Sequence, residues 1–407
     1  MIKRLCVHWP RLGPYHLARL GALHERLAAS GRELVALETA TTDLYGWRAE
    51  TGPTPYRRVT VFPGATFSDV RPAAMQRAVT AALDAIAPDA VAITSYSTPD
   101  ARAALAWCRR HRRGAVMMFD SRAADADRAG WRESVKRLIV RQFDAALVAG
   151  TPHAAYAANL GISDKAIFAP LDTVDNTFFD HPKSSTPTLP GLDSSQPFFL
   201  ASNRFVARKN LRGLVAGYAR YRAAGGRWRL VLLGDGPERE VVESVTRDAG
   251  VPDVTFAGFQ QIDVLPSYYA AAGAFVHPAH ADQWGLVVNE AMAAGLPVIV
   301  STGAGCAQDL VREGENGFTF RPTDEEHLAA VLACVAAMPP ATRAAFGAAS
   351  QAIIARYRPE DFAREMDRAA TAAVARSDHG LTLGGRLVLG ALRVATRRSE
   401  SFQSVPE

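Results

Sequence analysis

Two carboxylates and two cations stand at spacings that could bring them to one ligand from different directions. Asp282 and Glu290 are separated by seven residues in Asp282-Gln283-Trp284-Gly285-Leu286-Val287-Val288-Asn289-Glu290-Ala291-Met292-Ala293-Ala294-Gly295-Leu296-Pro297. Upstream, Arg204 and Lys209 lie in Ser202-Asn203-Arg204-Phe205-Val206-Ala207-Arg208-Lys209-Asn210 with four residues between them. Preplaced cations stabilise the negative charge that develops on a departing phosphate, and a helix N-terminus beside them adds partial positive charge. Taken alone, a cationic loop is usually a solvated surface.

These residues need elements to hold them. Phe275-Val276-His277-Pro278 reads as the end of an apolar strand and Ala279 to Gly285 as a loop. Leu286 to Ala294 reads as a helix stopped by Gly295 and followed by Pro297. Val298-Ile299-Val300 is then a short buried strand, completing a β-α-β unit. Glu290 on the first turns of the helix and Asp282 before it would face a ligand across the strand ends, where open α/β sheets bind. Phe198 to Ala201 reads as a strand whose loop, carrying Arg204 and Lys209, opens an amphipathic helix from Leu211 to Tyr221.

The acid stretch resembles the acid-x7-acid signature of the retaining glycosyltransferases of family 4, in the GT-B superfamily (glycosyl transferases group 1). Asp282 takes the place of the usual first Glu, one methylene shorter, and Arg204 and Lys209 match the family's Arg-x4-Lys. The resemblance implies that Glu290 binds the donor ribose, Asp282 the transferred sugar, and Arg204 and Lys209 the diphosphate. Trp284, Gly285 and Leu286 fall inside the same motif. Trp228 to Pro237, with Gly234, resembles the family's strand and Gly turn, and Val254 to Phe259, with Gly258 and Phe259, the loop that meets the base. Gly258 would let backbone approach a ligand closely. Thr302 to Val311 follows a strand and opens a helix, so amides around Gly303 would cradle phosphate or sugar oxygens.

Two positions depart from that pattern. Many relatives pair glycines in the first loop, whereas Arg11-Leu12-Gly13-Pro14 offers Gly13 alone beside a proline without an N–H. Many also carry a His after a middle N-terminal strand, where this chain has Phe119-Asp120. Asp120 is a candidate substrate contact, and capping the following helix is its other reading.

At 407 residues the chain is long enough for two full cores. Candidate strands at Arg4 to His8, Glu33 to Glu38, Arg58 to Phe62, Ala90 to Thr94, Ala115 to Phe119, Ala145 to Val148 and Ala166 to Pro170 alternate with helical stretches, as in a parallel sheet. The Ser/Pro/Gly-rich run from residue 184 to 196 is the best linker. The expected organisation is α/β: a Rossmann-like acceptor domain over 1–183, the linker, a donor domain over 197–375 and a tail over 376–407. By resemblance these form the GT-B architecture, two Rossmann-like domains with parallel sheets facing across a cleft.

The net charge of +5 suits a phosphate-bearing donor or an anionic surface but is too small to argue for nucleic acid, for which no motif appears. Four cysteines stand far apart without a zinc pattern and read as free thiols in a reducing compartment. With no signal peptide or spanning apolar run, the expected location is cytoplasmic, including the inner face of a membrane. Leu381 to Ala395 is apolar with two arginines; it is too short to span a bilayer but suited to lie on one, dock on the protein or pair with a partner.

The expected activity is therefore glycosyl transfer, with retention, from a nucleoside-diphosphate-sugar co-substrate to a hydroxyl acceptor that is a carbohydrate, lipid-linked or small molecule. No cofactor and no metal are expected, the cations taking the metal's place. A sugar-nucleotide epimerase of the same fold and a non-catalytic two-lobed binding protein remain alternatives.

Overall fold

Runs of β-branched and aliphatic residues alternating with amphipathic stretches fold into two parallel sheets in the computed structural model, which describes residues 2–42, 47, 52–125, 130–180, 197–251 and 253–398. The proposed linker, 184–196, lies outside the described residues.

The first unit holds β1 (Arg4–Trp9), β2 (Glu33–Thr42), β3 (Arg57–Thr66), β4 (Ala90–Thr94), β5 (Gly114–Phe119), β6 (Ala145–Val148) and β7 (Ile167–Phe168). They pair in the order β3-β2-β1-β4-β5-β6-β7, with Val7 opposite Ala36 on one side and Ala92 on the other. All seven coincide with strands expected from the sequence. The central ones are buried at all positions but Arg4 and Thr94, as sheets covered by helices on both faces require.

The second unit holds β8 (Phe198–Ser202), β9 (Arg229–Leu233), β10 (Val254–Gly258), β11 (Ala274–His277), β12 (Val298–Ser301) and β13 (Gly317–Phe320). Their order, β10-β9-β8-β11-β12-β13, reverses direction between β8 and β11. In an open parallel sheet that reversal opens a crevice at the carboxyl ends of the two strands.

The division between units differs from the one expected. The first unit runs to Thr173 and resumes at Pro359, and the second is Val174–Arg358. Helix Pro359–Arg376, expected in the donor domain, buries Phe362, Met366, Ala369, Ala370 and Ala373 in the first core. Asp367 on it accepts from Arg26 Nε at 2.9 Å and pairs with Arg32 at 2.5 Å. Helix Asn176–Asp180, expected in the acceptor domain, belongs to the second: Asn176 donates to Ile354 O at 2.9 Å, and Gln351 donates to Asp180 at 2.7 Å. Contacts more than a hundred residues away in sequence decided both boundaries, and no local composition shift marks them.

Candidate active site

Five of the expected positions, Arg204, Lys209, Asp282, Trp284 and Gly285, sit on the loops leaving β8 and β11, the two strands that flank the reversal. The β8 loop carries Arg204 and Lys209 and ends at Asn210, whose left-handed backbone (φ 55°) lets its side chain accept from Gly213 N at 3.3 Å. The Asn210 amide group also donates to Pro278 O and Pro322 O, at 3.1 and 2.7 Å. The β11 loop is stitched to it through His280 N, which donates to Arg208 O at 2.8 Å. Two loops so fastened bring Lys209 and Asp282 together although 73 residues separate them.

Lys209 Nζ donates to Asp282 Oδ2 at 2.5 Å, and His277 Nε2 lies 2.9 Å from the same oxygen. Arg208 adds a weaker pair, 3.9 Å from Oδ1, and donates to Gln283 Oε1 at 3.2 Å. Burial opposes ionisation of Asp282, but the Lys209 ammonium and the His277 ring more than offset it and hold the carboxyl well below the usual carboxylate range. His277 is fully buried, and burial pushes its pKa down despite the Asp282 hydrogen bond. It therefore serves as a neutral donor from Nε2 to the carboxylate.

Gly285 caps the helix Leu286–Ala293 with φ 106°, and a Cβ there would lie 3.3 Å from His277 Nε2 and 3.4 Å from Asp282 Oδ2. Only glycine turns the chain this sharply beside the pair. The helix's first-turn amides start at Leu286, on the carboxyl side of β11. Glu290 is buried inside it, with Oε2 accepting from Tyr269 OH at 2.6 Å. Trp284 is buried too, donating through Nε1 to Asn289 Oδ1 at 2.8 Å.

Gly234 has φ 116°, and a Cβ on it would fall 1.8 Å from Asn203 O, so its bareness lets the Arg204 loop pass. Gly234 N donates to Gly258 O at 2.8 Å, which ties β9 to β10 at their carboxyl ends. Gly258 has φ 72° but an open flank, its virtual Cβ meeting only Arg239 Nη1 at 3.9 Å. Phe259 beside it is 39% exposed.

Around Gly303 the protein engages its own amides: Gly303 N donates to Ser301 Oγ, Gly305 N to Asp282 O and Cys306 N to Trp284 O, at 2.9, 2.9 and 3.1 Å. This loop clamps the backbone of the acid loop, and a Cβ on Gly303 would lie 2.3 Å from His280 O. Gly13 likewise donates its amide to His16 Nδ1 at 2.9 Å. Asp120 is exposed just past β5, and in the turn that follows Asp125 accepts from Arg122 N at 2.6 Å. Gly13 and Asp120 belong to the first unit, the other candidates to the second.

Three residues carry no motif signal. His277 and Tyr269 orient the two acids. Asn203, next to Arg204, is 7% exposed, yet neither atom of its amide group has a hydrogen-bond partner. A buried polar group in that state is satisfied by water or by a ligand. Among the described residues no group of three or more His, Cys, Asp or Glu could hold a metal ion.

Residues 188–369 match the family model described as glycosyl transferases group 1. A segment of 101 residues is 42% identical to the sulfoquinovosyl transferase SQD2 of Arabidopsis thaliana, covering 24% of this chain and 19% of that one. The match thus spans about a fifth of that relative. Sucrose-phosphate synthase from Thermosynechococcus elongatus shares the fold with a TM-score of 0.69 at 19% identity, over 92% of this chain and 99% of that one. Anabaena Alr3699/HepE, solved in complex with UDP and glucose, does so with a TM-score of 0.68 at 16% identity, over 91% and 99%.

Proposed function

We propose that this chain, whose residues 188–369 belong to the glycosyl transferases group 1 family, transfers a sugar from a nucleoside-diphosphate donor to a hydroxyl acceptor. The observation that carries the reading is the Lys209–Asp282–His277 cluster beside a Gly285-capped helix, at the strand reversal where such sheets bind ligands. The sulfoquinovosyl transferase likeness and the UDP and glucose in the HepE structure favour transfer over epimerisation or passive binding.

Lys209 and Arg204 meet the diphosphate and stabilise the charge it gains as the glycosidic bond breaks. Glu290, held by Tyr269, takes the ribose hydroxyls, and Asp282 the hydroxyls of the moving sugar. Asn203 satisfies its amide group on the donor. Because ammonium and guanidinium groups meet the diphosphate, turnover proceeds without a metal and persists in EDTA. Retention follows if the acceptor attacks the face the diphosphate leaves, with the leaving phosphate taking the acceptor proton. Carbohydrate and lipid-linked hydroxyls are the acceptor class, and the unlinked Cys6, Cys108 and Cys306, all buried, suit a reducing compartment.

The test is Glu290→Gln in the full chain. We expect loss of donor hydrolysis and transfer by about a hundredfold or more, with the thermal midpoint close to wild type. Near-wild-type turnover in a folded Glu290→Gln protein would remove the assignment.

A further inference from the structure

Among the described residues, four of the six large exposed apolar side chains sit on one helix pair: Trp131 and Leu138 on Gly130–Val140, and Leu383 and Leu387 on Leu383–Arg398. Trp131, Leu383 and Leu387 are 68, 76 and 67% exposed. Trp131 and Leu138 are two turns apart on one face, and Leu383 and Leu387 are adjacent on another. The helices meet between these pairs, since a Cβ on Gly384 would lie 3.0 Å from Leu138 Cδ2. The four side chains therefore form a row across the pair.

The row is not left over from poor docking. Gln142 donates to Thr382 Oγ1 at 2.9 Å and accepts from Thr382 N at 3.2 Å, pinning the start of the second helix. Its other face is buried through Gly385 and Leu389. A docked amphipathic helix that keeps two leucines in water has a second surface to fill.

Charge selects the occupant. Arg132, Arg137 and Arg386 are exposed around the row, and Arg132 stacks its guanidinium 5.4 Å from the Trp131 ring centroid. The one acid of the first helix, Glu133, is already paired with Lys136 at 2.9 Å. From residue 379 to 399 the sequence holds four arginines and no acid. No single helix among the described residues is long and apolar enough to cross a membrane. We infer that this helix pair lies on an anionic lipid surface, with Trp131, Leu138, Leu383 and Leu387 in the headgroup–acyl boundary and the arginines on lipid phosphates. The inference does not depend on the glycosyl-transfer reading, which concerns residues of the second unit.

The test is flotation of the full chain with phosphatidylcholine vesicles and with vesicles that also contain phosphatidylglycerol. Binding is expected to the anionic vesicles and to weaken with salt. Leu383→Glu/Leu387→Glu should weaken it by about tenfold or more, and Arg132→Gln/Arg386→Gln should weaken it on anionic vesicles while leaving the apolar row intact. Trp131→Phe should remove a blue shift in fluorescence on vesicle addition. Thermal midpoints and calorimetric binding of a nucleoside diphosphate should match wild type in every variant. No wild-type flotation, or equal flotation of the Glu variant, overturns the inference. So does a concentration-dependent dimer that the Glu variant dissociates, which would give the row to a second copy of the chain.

Discussion

Lys209 holds its ammonium 2.5 Å from Asp282, so a diphosphate bound as proposed would meet a cation already partly neutralised by a carboxylate. Removing that carboxylate's charge leaves Lys209 free for the anion. We therefore expect Asp282→Asn to raise nucleoside-diphosphate affinity by roughly three- to tenfold while lowering sugar transfer, and Lys209→Ala to lower both. Titration calorimetry with the diphosphate alone separates the two, and parallel losses of diphosphate affinity in both variants would contradict the coupling. Asn203 offers a second measurement at this scale. Its unpartnered amide group contributes little to folding, so Asn203→Ala should change stability by less than about 1 kcal/mol, yet cost about fivefold in donor affinity. A lower midpoint with unchanged affinity would make Asn203 a packing residue.

Elements decide which glycines are structural and which serve a ligand. Gly234→Ala forces a Cβ onto Asn203 O at positive φ, and about 3 kcal/mol or more of stability should be lost. Gly258→Ala meets open space at φ 72°, so the strain should be nearer 1 kcal/mol and the larger effect should fall on donor affinity. Denaturant midpoints beside calorimetry distinguish them; equal destabilisation would put Gly258 in the same class as Gly234. Sequence could not draw this line, because both glycines follow strands. Period and punctuation were enough for the seven strands of the first sheet and for the acid helix, whose Gly285 and Gly295 bound it. The acid and cation positions were legible as types and spacing. Their pairing was not, since it depends on Asn210 and His280 fastening two loops from distant parts of the chain. That the amides after Gly303 hold the acid loop was not legible either, because strand–turn–helix patterns look alike whatever their amides meet.

For the whole molecule, two neutral histidines, the buried His277 and the half-buried His16, set the response to acid. Burial, with Arg19 and Arg11 nearby, pushes His16 down to about 3, and burial pushes His277 in the same direction. The unfolded chain takes up a proton on each near pH 6.5, whereas the folded chain does not. Stability is thus full above about pH 6.5 and should decline as pH falls, by about 1.4 kcal/mol per pH unit for each histidine. Asp282, held low, adds a loss of the same sign below about pH 4. Urea midpoints between about pH 7 and pH 5, with His16→Phe flattening the slope, check this; a flat wild-type profile would contradict it.

Helix Pro359–Arg376, which follows the second unit in sequence, completes the first core. A ribosome therefore emits Trp9, Arg26 and Arg32 long before Phe362 and Asp367, the groups that cover and pair with them. During synthesis the second unit, continuous in sequence, has all its strands in hand while the first still lacks a wall. The half begun first is finished last, and a nascent chain of this protein must keep that open face from aggregating for the time it takes to translate the whole second unit.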